Sequence, residues 1–145
     1  MYNLESLGNI LIEGKPTVGK TSFIEYYLNK IKRKHIIICD YMGVNLYNYK
    51  NNRIEYYDRN NYDELYSNLL DIIENNRNYT TYIIIDEFSD FISVYGKTKS
   101  YELFDDLFVN YKKHKIKLIL SSQINCFSTN MKRYCNTYIK LNNRY

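Results

Sequence analysis

"ILIEGKPTVGKT", residues 10 to 21, joins a strand to a helix through a glycine-bearing loop. Ile10 to Glu13 form a short apolar run of strand type, and a loop follows with glycines at Gly14 and Gly19. From Lys20 onward Phe23, Ile24, Tyr27, Leu28 and Ile31 recur at helical spacing. Glycines let the loop turn and aim its N–H groups at an anion, and the start of the helix adds positive potential. A loop of the form GxxxxGK[ST] set between a strand and an amphipathic helix is therefore a phosphate cradle. Gly14, Lys15, Pro16, Thr17, Val18 and Gly19 would supply the backbone around the phosphates. Lys20 would reach the β and γ phosphates, and the Thr21 hydroxyl would ligate Mg²⁺.

Outward from that loop, further apolar runs without polar alternation lie at Ile36 to Cys39, Tyr82 to Ile85 and Ile116 to Leu120, as expected of strands covered on both faces. Thr137 to Leu141 alternates and reads as an edge strand, and Arg53 to Tyr57 as a further short one. Tyr62, Leu65, Tyr66, Leu69, Leu70 and Ile73 predict a second helix. Its start, "NYDE", suggests a capping box with Asn61 as cap and Glu64 reaching back. A third helix is expected over residues 100–113, with acids early, lysines late, and Leu103, Phe104, Leu107, Phe108 and Tyr111 along one side. Strands alternating with helices predict an α/β layered fold around a mainly parallel sheet.

With 145 residues the chain reads as one domain, able to bury roughly 70% of its unfolded surface. No apolar stretch approaches the roughly 18 residues that would span a bilayer, so a soluble, intracellular protein is expected. Cys39, Cys126 and Cys135 lack metal-site spacing, and His35 and His114 stand apart from them, which predicts core or surface thiols. The net charge of +4 gathers in Lys30 to Lys34 and Lys112 to Lys117. Either run can be lysine complementing a helix C-terminus, or a contact for a polyanion.

Two other endings carry chemistry. "YIIIDEF", Tyr82 to Phe88, is a buried strand closing on adjacent acids, where Asp86 would hold Mg²⁺ and Glu87 would act as general base. "KLILSSQ", residues 117 to 123, ends on an amide. If its strand lies between the other two, Gln123 reaches the crevice at the carboxyl ends of the strands, where a neutral donor and acceptor can touch a γ-phosphate and read Glu87. A solvated acidic turn and a plain loop glutamine are the competing readings.

Gly14 to Thr21 resembles the Walker A motif of P-loop NTPases, and "YIIIDEF" resembles Walker B. The Asp86–Glu87 pair is similar to that of the additional-strand ATPases, which implies a three-layer fold with strand order 5-1-4-3-2 and Ile116 to Leu120 as the inserted strand. "LILSSQ" resembles the strand-and-glutamine pattern of the FtsK/HerA superfamily of DNA-pumping ATPases. The span from "YIIIDEF" through "LFDDLFVNYKKHKIKLILSSQ" looks like the poxvirus-type genome-packaging ATPases. The resemblance runs from Gly14 to about Leu141. Only Asn142 to Tyr145 follow, which would leave no room for a helical lid or a nuclease domain.

That resemblance implies an ATP- and Mg²⁺-dependent ATPase, acting as a homo-oligomeric ring that translocates double-stranded DNA through its phosphate backbone. It implies a viral motor that packages DNA, with a capsid or portal protein as partner, cytoplasmic in a host cell or viral factory, or virion-associated. Lys97 to Lys99, or Lys132 and Arg133, would grip the DNA. The family's trans-acting arginine is here Lys112, eleven positions ahead of Gln123. Lysine supplies the charge but lacks the planar fork for phosphate, so weaker trans activation, or Arg133 or Arg59 in its place, is the alternative to the expected Lys112 or Lys113. The competing expectation is a nucleotide-dependent binding module, of helicase-loader or plasmid-maintenance type, with slow hydrolysis; a small-molecule kinase is a third.

Overall fold

A computed structural model describes residues 4–15, 19–43 and 52–141. Six strands form one sheet: β1 (Ile10–Gly14), β2 (His35–Asp40), β3 (Arg53–Tyr57), β4 (Thr81–Asp86), β5 (Ile116–Ser122) and β6 (Thr137–Leu141). Their order is β3-β2-β4-β5-β1-β6, and every neighbouring pair is parallel. Taken from the other edge, and with β3 set aside, this is the expected order 5-1-4-3-2, with β5 inserted between β1 and β4. Thr137 to Leu141 and Arg53 to Tyr57 occupy the two edges, where incomplete burial matches their polar alternation.

The strands β1, β2, β4 and β5 bury nearly every residue because helices cover both faces. On one face lies α1 (Lys20–Lys30), packing Ile24, Tyr27, Leu28 and Ile31 against Ile10, Ile12, Ile36, Ile38, Ile84 and Ile119. On the other lie α2 (Leu65–Glu74), α3 (Phe88–Tyr95), α4 (Lys97–Val109) and α6 (Thr129–Tyr134). Phe104 of α4 meets Phe88 and Phe91 edge-on, with ring centroids 5.0 and 5.1 Å away. The short helix α5 (Tyr111–His114) then leads into β5.

Three local expectations change. The capping box at Asn61 is not formed, because the Asn61 side chain is used in the preceding turn. Its Oδ1 accepts from Asp58 N and its Nδ2 donates to Tyr56 O, while residues 62–64 make a 3-10 turn before α2. The helix expected over residues 100–113 starts earlier, at Lys97, and breaks at Asn110 into α4 and α5. Lys97 and Lys99 thus sit in the first turn of α4, and no acid does. The helix α3 was concealed by the acidic pair before it, which read as the end of a strand.

Candidate functional site

The parallel register gathers the site at the carboxyl edge of the sheet. Ser122 of β5 lies opposite Glu13 of β1, and Leu120 lies opposite Ile85 of β4, so the strand ends finish side by side. At the end of β1, Gly14 and then Lys15 lead into the loop, and Pro16, Thr17 and Val18 lie outside the described residues. Gly19 closes the loop as the cap of α1 with φ of 100°, a left-handed conformation that favours glycine.

Lys20 is 5% exposed, and its Nζ donates to Gly14 O at 2.6 Å and to Ser122 O at 3.3 Å. The same ammonium pairs with Glu87 Oε1 at 2.7 Å. One turn of helix therefore ties together the strand before the loop, the inserted strand and the acid after β4. Beside it, Thr21 Oγ1 donates to Asp86 Oδ2 at 3.0 Å. This hydroxyl and carboxylate suit Mg²⁺, which takes one or two protein oxygens and completes its shell with phosphate and water.

Ser121 organises the two acids. Its hydroxyl donates to Asp86 Oδ1 at 2.8 Å and accepts from Glu87 N at 3.0 Å. Ser89 Oγ donates to Glu87 Oε2 at 3.0 Å. Glu87 itself holds φ of 66° and ψ of 78°, a left-handed conformation that is costly for a residue with a side chain and typical of residues placed for function. Burial pushes the Asp86 carboxyl above its ordinary range. The hydrogen bonds from Ser121 and Thr21 oppose that shift, and the charges of Glu87 and Asp40 add to it.

Asp40, which sequence reasoning passed over, ends β2 directly opposite Asp86 and is 1% exposed. It accepts from Tyr56 Oη at 2.8 Å and Gly43 N at 3.1 Å. Its signal in the sequence was the ending "IIICD", an apolar run closing on an acid just as "IIIDE" does. Ser121 had the weaker signal of a small polar residue where the apolar run stops.

Gln123 follows the last residue of β5, at the same edge as Lys20 and Glu87, and is exposed. Among the described residues its amide has no hydrogen bond; the Glu87 carboxylate it would read is held by Lys20 and Ser89. Lys112 and Lys113 are exposed on α5, before the amino end of β5 and away from this edge. Arg133 is exposed on α6. Arg59 lies at the carboxyl edge, its N–H donating to Tyr41 O just past Asp40.

No protein-family model matches the chain, and no curated protein matches it at a significant level. Solved structures do resemble it. The cytoplasmic domain of EssC matches with a TM-score of 0.75 at 14% identity, over 97% of this chain and 32% of that one. EssC (ATPases 2 and 3) from Geobacillus thermodenitrificans matches with 0.67 at 14%, over 97% and 33%. EccC (ATPases 2 and 3) from Thermomonospora curvata, in complex with a signal sequence peptide, matches with 0.66 at 9%, over 91% and 29%. The chain spans about a third of the chains it matches. Its fold is that of P-loop ATPase domains with the additional strand between the phosphate-loop strand and the acid-bearing strand.

Proposed function

We propose that the chain is an ATP-hydrolysing motor that moves double-stranded DNA, in a homo-oligomeric ring, into a viral capsid. The observation that carries the hydrolytic part is the convergence of Lys20, Thr21, Asp86 and Glu87 within hydrogen-bond distance from α1 and the end of β4. The DNA part is supported by the "LILSSQ" and "YIIIDEF" resemblance and by exposed basic residues at Lys97, Lys99, Lys132 and Arg133.

Nucleotide phosphates on the loop compete with Glu87 for the Lys20 ammonium. Once released, Glu87 accepts a proton from water as the water oxygen attacks the γ phosphorus and the bond to the β–γ bridging oxygen breaks. Lys20 stabilises the charge that accumulates on the phosphate oxygens. Gln123, a donor as well as an acceptor, orients the water or touches the γ-phosphate. Thr21 and Asp86 would hold Mg²⁺, which would supply positive charge to the phosphates. A basic residue from a neighbouring subunit, Lys112 or Lys113, completes the site in the ring, with Arg59 or Arg133 as alternatives.

A second reading is a nucleotide-regulated binding module with slow turnover. It is favoured by the Lys20–Glu87 pair, which engages the catalytic acid, and by an EccC neighbour in complex with a signal sequence peptide. ATP turnover measured with and without duplex DNA at low salt separates the two. Stimulation together with assembly supports the motor. Unstimulated, slow turnover combined with a partner complex trapped by Glu87→Gln supports the switch.

A further inference from the structure

The opposite edge of the sheet carries a site that the nucleotide chemistry does not use. At the amino ends of β2 and β3, and just before β4, Arg33, Lys34, His35, Arg53, Tyr79 and Thr80 line a cavity of about 540 Å³. A strand of six residues, about 20 Å, separates it from the carboxyl edge of the sheet. Three cations and no carboxylate form its wall. Arg33, Lys34 and Arg53 have no ion-pair partner among the described residues. Glu55 and Asp71 line an adjoining cavity of about 250 Å³ that shares His35, Arg53 and Tyr79 with the first. Glu55 is there engaged by His35 Nε2.

The backbone that presents these cations is braced. Lys34 N donates to Asn52 Oδ1 at 3.0 Å, Asn52 Nδ2 donates to Ile31 O at 3.0 Å, and Arg53 N donates to Lys34 O at 2.9 Å. Arg33 is held at φ of 60°, a left-handed conformation uncommon for a residue with a side chain. Tyr79 stands beside them, 41% exposed, edge-on to His35 at 5.6 Å and with the Arg77 guanidinium 5.4 Å from its ring centre. Arg77 donates to Thr81 Oγ1 and to His114 O, so its charge stays fixed near the ring.

We infer that this cavity is a second anion site, for a phosphate-bearing ligand. Two guanidinium forks match phosphate oxygens, the lysine adds a point charge, and the tyrosine ring offers a surface for a base. A volume of several hundred Å³ suits a small ligand or one unit of a strand. The ligand is either a free phosphate compound or the sugar–phosphate backbone of a nucleic acid. The basic run at Lys30 to Lys34 thus divides: Lys30 closes α1, and Arg33 and Lys34 build the cavity. The inference is independent of hydrolysis at the other edge.

Residue-resolved NMR on the whole chain tests it, with inorganic pyrophosphate and a short oligothymidylate added separately. Saturable shifts are expected at the amides of Lys34, Arg53 and Thr80, weakened about tenfold by Arg33→Glu or Arg53→Glu. A response to pyrophosphate alone assigns the site to free phosphate compounds. A response to the oligonucleotide that falls with added salt and with Tyr79→Ala assigns it to nucleic acid. Either outcome sustains the inference. No shift at these amides with either probe overturns it, as does unchanged affinity in charge-reversed chains that keep the parent spectrum. Amides Gly19 to Thr21 report the phosphate loop in the same spectra, so failure at one edge is distinct from failure at the other.

Discussion

At the scale of single residues, the site is held by a few charged groups whose surroundings oppose one another. Because burial raises the Asp86 carboxyl, the folded chain keeps a proton there at pH values where the unfolded chain has lost it. Stability then falls as pH rises from the ordinary carboxylate value through the raised one, and at neutral pH the buried charge is a cost. Asp86→Asn should therefore raise Tm at pH 7, by roughly 3 °C for each kcal/mol recovered. The advantage should shrink as pH falls towards the ordinary carboxylate range, and Mg²⁺-dependent turnover should be lost; thermal melts across pH check the first part and a phosphate-release assay the second. Glu87→Gln removes the proton acceptor and the partner of Lys20 together. Turnover should drop by about 10²- to 10⁴-fold while nucleotide binding is kept or tightened, which fluorescent-nucleotide titration distinguishes. Gly19→Ala finds open space around its new methyl group, so its penalty comes from the backbone alone. A loss of about 1–2 kcal/mol is expected, together with weaker nucleotide binding, measured by denaturant unfolding and the same titration.

At the scale of elements, α4 is well packed along one side and poorly matched at its start. Lys97 and Lys99 oppose the helix dipole in its first turn. Lys97→Glu should stabilise the chain by about 0.3–1 kcal/mol at low salt, and the gain should fade as salt is added. If these lysines also grip DNA, the same change lowers DNA stimulation of turnover. Phe104 is fully buried between Phe88 and Phe91. Phe104→Ala should cost about 3–5 kcal/mol, and because Phe88 directly follows Glu87, it should disturb turnover beyond the loss of folded protein. Activity normalised to the folded fraction reads that difference.

At the scale of the whole molecule, the parallel sheet puts two ligand edges one strand length apart. The carboxyl edge carries acids and the buried Lys20, and the amino edge carries Arg33, Lys34 and Arg53, which have no ion-pair partner among the described residues. If the ring completes each site with a neighbour's basic residue, activity per chain should rise with concentration. Glu87→Gln chains mixed into the parent protein should then inhibit more than in proportion to their share. Turnover that is linear in the parent fraction and independent of concentration would exclude a shared site.

Read alone, the sequence marked the six strands and the glycine-spaced loop through local signals, and the resemblance implied the order of five of the strands. Apolar runs mark strands buried on both faces, and glycine spacing marks the loop. The helix that starts at Phe88 and the unused cap at Asn61 were not legible, since both depend on which hydrogen bonds win once the chain has folded. Folding in three dimensions sets Asp40 beside Asp86, lets Ser121 bind both acids, and pairs Lys20 with Glu87. It alone also brings Arg33, Arg53 and Tyr79 to one cavity. Residues distant along the chain become neighbours through strand register and crossover, and that pairing comes from packing the whole sheet, which no short stretch of sequence encodes.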